Sequence, residues 1–377
     1  MEDINSNQRV KKTLAFGEPD RVPLDIGSIN NTSMHVQIEE KLFEYLGFSY
    51  PGGEIVSREQ QAVVPNDRIL EYFGADTRSI YISDMHPWTE QPDGTFIDQW
   101  GLGLRASPDN TYFSFCSHPL ASATSISDLD RYQWPDPYSE NRLAGLEDRA
   151  RKYAGQYCLV LEGFRESIFG LASWLRGMTE FYMDLAIRPE FAHALLDRLA
   201  DFQIELTSFV IERIGQYIDV VKVADDIGTQ RSLMISPDMY REFIKPRQAA
   251  LYKNIREKSG CPLLLHACGS IRAIIPDLIE IGVDALNPIQ VSAKGMDPRS
   301  LKETFGGKIT FWGGGIDTQE VLPTGTPQQI EEEVHQNMEI FKPGGGYIFS
   351  QVHNITHDVP VENVVTMFEA YKKYAAY

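Results

Sequence analysis

Pro262-Leu263-Leu264-Leu265-His266-Ala267-Cys268-Gly269 is an apolar run that ends abruptly in a polar, glycine-containing tail. An extended chain projects residues i and i+2 to the same side. The imidazole of His266 and the sulfur of Cys268 can therefore converge on one ion just past the run. The same two residues are also compatible with a hydrogen-bonded core histidine beside a small apolar packer. The rest of the chain has to choose between these readings.

The pattern recurs. β-rich runs occupy residues 22–26, 77–82, 157–161, 218–223, 262–266, 283–286, 309–312 and 347–350, and helical patterns lie between most of them. Residues 189–215 carry Phe191, Leu195, Leu199, Phe202 and Leu206 at helical spacing. Ser236-Pro237-Asp238 opens another helix, Pro327-Gln328-Gln329-Ile330 a third, and residues 361–374 form a last. Strands alternating with helices imply parallel βαβ units, and eight units imply a closed (β/α)8 TIM barrel, an α/β fold, with an open doubly wound sheet as the alternative. No repeat or linker divides the sequence, so one domain over residues 1–377 is expected.

A barrel gathers the residues after its strands around one mouth. Those residues are Glu162-Gly163-Phe164-Arg165, Ala224-Asp225-Asp226-Ile227-Gly228, His266-Ala267-Cys268-Gly269, Asn287-Pro288, Gly313-Gly314-Gly315-Ile316-Asp317 and Gln351-Val352-His353. Residues 84–137, rich in Trp, Pro and Asp, read as an insertion that caps the mouth.

Composition removes several partners. Asp and Glu outnumber Lys and Arg by 53 to 35, a formal charge of -18, which disfavours nucleic acid and anionic lipid. Cysteines at 116, 158, 261 and 268 are too few and scattered for a disulfide framework. The opening Met1-Glu2-Asp3-Ile4-Asn5 is polar with no apolar run behind it, and no later segment approaches a membrane span. The expected location is the cytoplasm.

A second cluster, His353-Asn354-Ile355-Thr356-His357-Asp358, follows the run at 347–350 and could complete a metal site with His266 and Cys268. There is no Cys-x-x-Cys, the usual mark of a structural zinc site, whereas a catalytic site keeps one position open. Glu162, Asp225 and Asp226 are the candidate catalytic carboxylates: a fourth ligand, a partner of His266, or a proton donor. The structural alternatives are an ion pair of Glu162 with Arg165 and a loop cap by Asp226. Arg165, Trp88, Asn287 and Trp312 are candidates for substrate contact, Trp88 by stacking on a ring. His357 is read as either near the metal or exposed. The triple glycine is no phosphate loop, since no Lys-Ser or Lys-Thr follows.

Several stretches resemble the uroporphyrinogen decarboxylase family, taken broadly to include its zinc methyltransferase branch. They are Arg9-Val10 through Gly17-Glu18-Pro19-Asp20-Arg21-Val22-Pro23, Tyr72-Phe73-Gly74-Ala75-Asp76, Asp98-Gln99-Trp100-Gly101, and Asp128-Leu129-Asp130 leading to Trp134-Pro135-Asp136-Pro137. Further along come Leu265-His266-Ala267-Cys268-Gly269, Gly282-Val283-Asp284-Ala285-Leu286-Asn287, and Trp312-Gly313-Gly314-Gly315-Ile316-Asp317 with Leu322-Pro323-Thr324-Gly325-Thr326-Pro327.

The resemblance implies a TIM barrel. It also implies a zinc pair at His266 and Cys268, with a later ligand that in the methyltransferase branch is a cysteine and here is His353. Imidazole in place of thiolate leaves the metal a stronger Lewis acid, better suited to activating an oxygen than an acceptor thiol. Decarboxylases of the family carry an Arg motif that meets the carboxylates of a tetrapyrrole. Here the matching stretch, Asp25 to His35, has no Arg or Lys between Arg21 and Lys41. The expectation is a zinc methyltransferase moving a methyl group between a donor, an aromatic methyl ether for preference, and a cobalamin-type corrinoid carried by a separate protein. The alternatives are a methylcobamide:thiol methyltransferase, a decarboxylase and a barrel that binds without turnover.

Overall fold

The computed structural model describes residues 4–377; Met1 to Asp3, the head of the polar opening, lie outside them. Seven strands, Thr77–Tyr81, Cys158–Glu162, Val220–Ala224, Leu263–His266, Ala285–Asn287, Thr310–Trp312 and Tyr347–Ile348, pair in chain order. Every pairing is parallel. The first and last are joined by residues 22–26. Leu24 bridges Phe349 in parallel, the Asp25 and Phe349 amides donate to Phe349 O and Pro23 O at 2.9 Å each, and Asp76 N donates to Leu24 O at 2.8 Å. Pro23 has no N–H to offer, so this eighth member is held by bridges rather than a full ladder. All eight expected runs thus take part in one closed barrel.

Alternation along the strands explains the interior. Cys158, Val160, Val220, Leu264, Ala285, Trp312 and Ile348 form one buried cluster with Val10 and Ile29, while residues such as Leu159, Leu161, Val221, Leu265 and Leu286 pack in the larger apolar core with the helices. One step further along the same inward face stand Glu162, Lys222, His266 and Asn287, all buried. The barrel interior is therefore apolar below and polar at the top.

The expected helices form as Pro189–Ile214, Pro327–Phe341 and Val361–Tyr374. The one after Ser236 is broken into Pro237–Met239, a wider π turn Tyr240–Ile244, and Lys245–Ser259. Pro246 cannot donate to the carbonyl four residues earlier, and the ladder loosens ahead of it. The insertion folds as a four-stranded antiparallel sheet, Thr89–Glu90, Phe96–Ile97, Gly103–Ala106 and Phe113–Ser117, over the mouth. Among the described residues no helix is long and apolar enough to cross a membrane.

Candidate metal centre at the barrel mouth

His266 ends its strand level with Ala224 on one side and Asn287 on the other. Its ring is buried, and Nδ1 lies 2.6 Å from Asn287 Oδ1. Asn287 Nδ2 donates to Trp312 O at 3.0 Å, which fixes the amide and requires His266 Nδ1 to be the donor. The lone pair is then on Nε2, 3.3 Å from Cys268 Sγ.

His353 pairs its Nδ1 with Asn354 Oδ1, and its Nε2 lies 3.4 Å from Asn31 Nδ2; with Nδ1 as donor, as in His266, the lone pair is on Nε2. The two rings meet at a centroid distance of 5.7 Å. One donor atom each from His266, Cys268 and His353 lies within 4.8 Å of the others.

These residues fit a metal. With zinc–nitrogen and zinc–sulfur bonds of about 2.0–2.3 Å, ligand atoms around a tetrahedral ion stand roughly 3.4–3.6 Å apart, close to the separation of His266 Nε2 and Cys268 Sγ. Burial lowers the pKa of both imidazoles, that of His266 to about 3, so they stay neutral and able to coordinate. Burial raises the Cys268 thiol well above its usual range, with Asp226 and Glu166 adding to it. A dication would reverse that last effect by drawing the proton off the sulfur.

The cluster opens into a cavity of about 820 Å³ whose wall includes Asn31, Glu162, Arg165, Glu166, Asp226 and His353, with Trp88, Phe113, Phe115 and Trp174 contributed by or packed under the inserted sheet. The candidate carboxylates separate here. Glu162 lines the cavity and accepts from Asn30 N at 2.6 Å and from Lys222 Nζ at 3.2 Å, not from Arg165. Burial raises its pKa, opposed by Lys222. Asp226 also lines the cavity; its Oδ1 accepts the Cys268 amide at 2.7 Å and stands 3.8 Å from His266 Nε2.

Asp225 faces the other way, since neighbours in an extended segment point to opposite sides. It accepts from Gly170 N and Gln248 Nε2, both at 2.9 Å, and burial raises its pKa to about 6. Asn287 and Trp312 likewise do not line the cavity. Both belong to the barrel interior: Asn287 steadies His266, and Trp312 Nε1 donates to Asp25 Oδ2 at 2.7 Å. Arg165 lines the cavity but is committed to Glu59 at 2.5 Å and Asp98 at 3.2 Å, which outweigh the effect of burial and keep it charged. Trp88 faces the cavity, with the Arg58 guanidinium 4.8 Å from its ring centroid. His357 lies apart from the cluster, against His35.

Two ionisable groups in the cavity wall escaped the sequence reading. Glu166 sits one residue past the quoted loop Glu162–Arg165, buried, with Oε2 accepting Asp226 N at 2.8 Å. Burial, then Asp226 and Asp225, push its pKa well above the carboxylate range. Lys222 is the one charge within Val220-Val221-Lys222-Val223-Ala224. A lone ionisable residue inside a buried strand was the available signal.

Architecture and site together define a parallel barrel with a nitrogen and sulfur donor set at its mouth. The chain belongs to the uroporphyrinogen decarboxylase (URO-D) family, whose family model matches residues 114–374. A methylated-thiol--coenzyme M methyltransferase of Methanosarcina mazei is 22% identical over 260 residues, covering 68% of this chain and 65% of that protein, so the match leaves about a third of that relative uncovered. A uroporphyrinogen decarboxylase of Legionella pneumophila is 29% identical over 286 residues, 73% of this chain and 75% of its own. Among solved structures, a methyltransferase from Methanosarcina mazei superposes with a TM-score of 0.68 at 18% identity, covering 99% of each chain, which supports the barrel.

Proposed function

We propose that the protein is a zinc-dependent methyltransferase that moves a methyl group between a small donor and the corrinoid of a separate protein. The observation that carries this reading is the buried cluster of two imidazoles and a thiol: His266, with Nδ1 tied to Asn287, sets Nε2 3.3 Å from Cys268 Sγ, and His353, with Nδ1 tied to Asn354, brings a donor nitrogen within 4.8 Å of both. Zinc, when bound there, supplies Lewis acidity to the heteroatom bearing the methyl group, while a reduced corrinoid supplies the attacking electron pair.

The chain's own residues do the rest. Asn287 and Asn354 hold the ligand tautomers. Asp226 fixes the Cys268 backbone. Glu166, with Oε2 engaged by Asp226 N, carries its proton on Oε1 and can deliver it to the departing heteroatom. Trp88, Phe113, Phe115 and Trp174 give the cavity an aromatic wall and favour an aromatic methyl ether. The cavity wall carries Glu54, Glu59, Asp84, Glu162, Glu166 and Asp226 against Arg58, Arg165 and Lys222. Arg165 and Lys222 are already paired, which disfavours a substrate with many carboxylates and hence tetrapyrrole decarboxylation. The four unpaired thiols support a reducing, cytoplasmic setting.

The test is formation of methylcobalamin from methyl ethers and reduced cobalamin, and its loss in His266→Ala. A second reading, transfer to a thiol, is favoured by the name of the 22% identical Methanosarcina relative. It replaces the first if ethers, methanol and methylamines all fail while a thiol accepts methyl from methylcobalamin.

A further inference from the structure

Asn31 is 7% exposed and lines the cavity beside the donor cluster. Its Nδ2 lies 3.4 Å from His353 Nε2, the lone pair that a metal would take, and its Oδ1 is buried with no hydrogen-bond partner. Turning the amide over would set Oδ1 against the His353 Nε2 lone pair and leave both ends without a partner. Once His353 Nε2 is engaged by a metal, both ends are free. A buried amide with nothing to bond is costly, and native structures seldom keep one without use.

The turn that carries Asn31 has little freedom to relieve this. Thr32 N donates to Ile29 O at 3.0 Å and Gly27 N to Thr32 O at 3.0 Å. Gln351 Nε2 donates to Thr32 O at 2.7 Å and Ser33 O at 3.1 Å. Next door, the Asn30 amide donates to Glu162 Oε1 at 2.6 Å, and Lys222 Nζ donates to Asn30 Oδ1 at 3.3 Å. The side chain is aimed by backbone that is pinned on both flanks.

We infer that Asn31 is a catalytic residue of the proposed methyl transfer: its amide N–H binds the heteroatom from which the methyl group departs. In the forward direction the methyl carbon–oxygen bond breaks and a methyl–cobalt bond forms with the electron pair of the reduced corrinoid. The pair from the broken bond stays on the oxygen, where Asn31 Nδ2 donates to it before protonation. Negative charge grows on that oxygen as the bond stretches, so the hydrogen bond strengthens toward the transition state. The vacant Oδ1 selects substrates with a hydrogen-bond donor adjoining the methyl-bearing oxygen. This inference rests on the proposed function.

The test uses cobalt(II) in place of zinc, with phenol as a probe for the departing group and the visible cobalt bands as the readout, in wild type, Asn31→Leu and Asn31→Ala. Both variants should take up metal as wild type does and give the same bands without phenol. Phenol should then bind them roughly tenfold or more weakly, the loss expected for a hydrogen bond to a charging oxygen. In metal-depleted protein Asn31→Leu should melt higher by about 1–3 °C, because the orphaned amide is gone. Equal phenol affinity in all three proteins overturns the inference and leaves the metal site standing, as does a lowered melting point with metal uptake reduced to that of His353→Ala, which marks a structural role. Failure of wild type to take up cobalt or zinc overturns the proposed function and this inference with it.

Discussion

The two ends of the barrel handle buried charge in opposite ways. At the amino ends of the strands, Asp76 is completely buried, and each of its oxygens meets a cation: Arg9 at 2.6 Å on Oδ1 and Arg21 at 2.7 Å on Oδ2. Ser6 Oγ and Leu24 N complete the set at 2.7 and 2.8 Å, and Arg9 also holds Asp20 at 2.7 Å. At the carboxyl ends, Glu166 faces Asp226 and Asp225, a thiol sits among the carboxylates, and two imidazoles are kept neutral. The first arrangement is complete as it stands and ties the chain's start to the barrel. The second is short of positive charge. Such a cluster either holds its protons or exchanges them for a cation, and groups perturbed in this way gather at functional sites.

The comparison breaks most visibly at the base. Asp76→Ala leaves Arg9 and Arg21 without their shared partner and should cost about 3–5 kcal/mol in a urea melt, with the metal content of folded protein unchanged. If it costs less than about 1 kcal/mol, the base is not the compensated structural cluster described. At the mouth the effect should fall on metal instead. Cys268→Ser should lower zinc content at least tenfold by elemental analysis, while metal-depleted wild type and variant melt alike.

Smaller effects sharpen the contrast. The raised pKa of Glu166 means that its contribution to stability is present below about pH 4.5 and is lost as pH rises, because the unfolded chain then releases a proton the folded one keeps. Glu166→Gln should therefore stabilise the metal-depleted protein at pH 7 relative to wild type and flatten the decline above about pH 4.5, read in urea melts across that range. His266 has the opposite sign. Its pKa is depressed to about 3, so its contribution is present above about pH 6.5 and is lost on acidification toward pH 3, a slope that His266→Gln should remove from the metal-depleted protein. Cys116→Ser, at an exposed thiol away from the cluster, should change neither stability nor zinc content.

Much of the barrel was legible because its strands are short apolar runs closed by polar residues. All eight appear where that pattern stands, even residues 22–26, where Pro23 reduces the ladder to bridges. The i, i+2 geometry of His266 and Cys268 was legible for the same reason. Its limits appear at Asp225 and Asp226, adjacent residues that the sequence treats alike and the strand's alternation sends to opposite sides. Asn287 and Trp312 stand at strand ends on the same inward side as Glu162 and Lys222, yet only the latter two line the cavity, a distinction that needs the register of neighbouring strands. The loop Asn30 to His35 was expected at the mouth, and Asn31 lines the cavity from it, whereas Glu59 reaches the site from the hairpin Glu54–Ser57 and Ala62–Val64, a segment distant in sequence whose approach no local pattern encodes.

The claim that the mouth's deficit of positive charge is a metal site meets its most direct test in zinc K-edge X-ray absorption of the purified protein. The account predicts one zinc per chain with a single sulfur neighbour at about 2.3 Å and two imidazole nitrogens at about 2.0–2.1 Å, the sulfur shell vanishing in Cys268→Ser and one imidazole in His353→Ala. Zinc-free protein that does not take up the metal, or a zinc whose shell is unaltered by both substitutions, would contradict it.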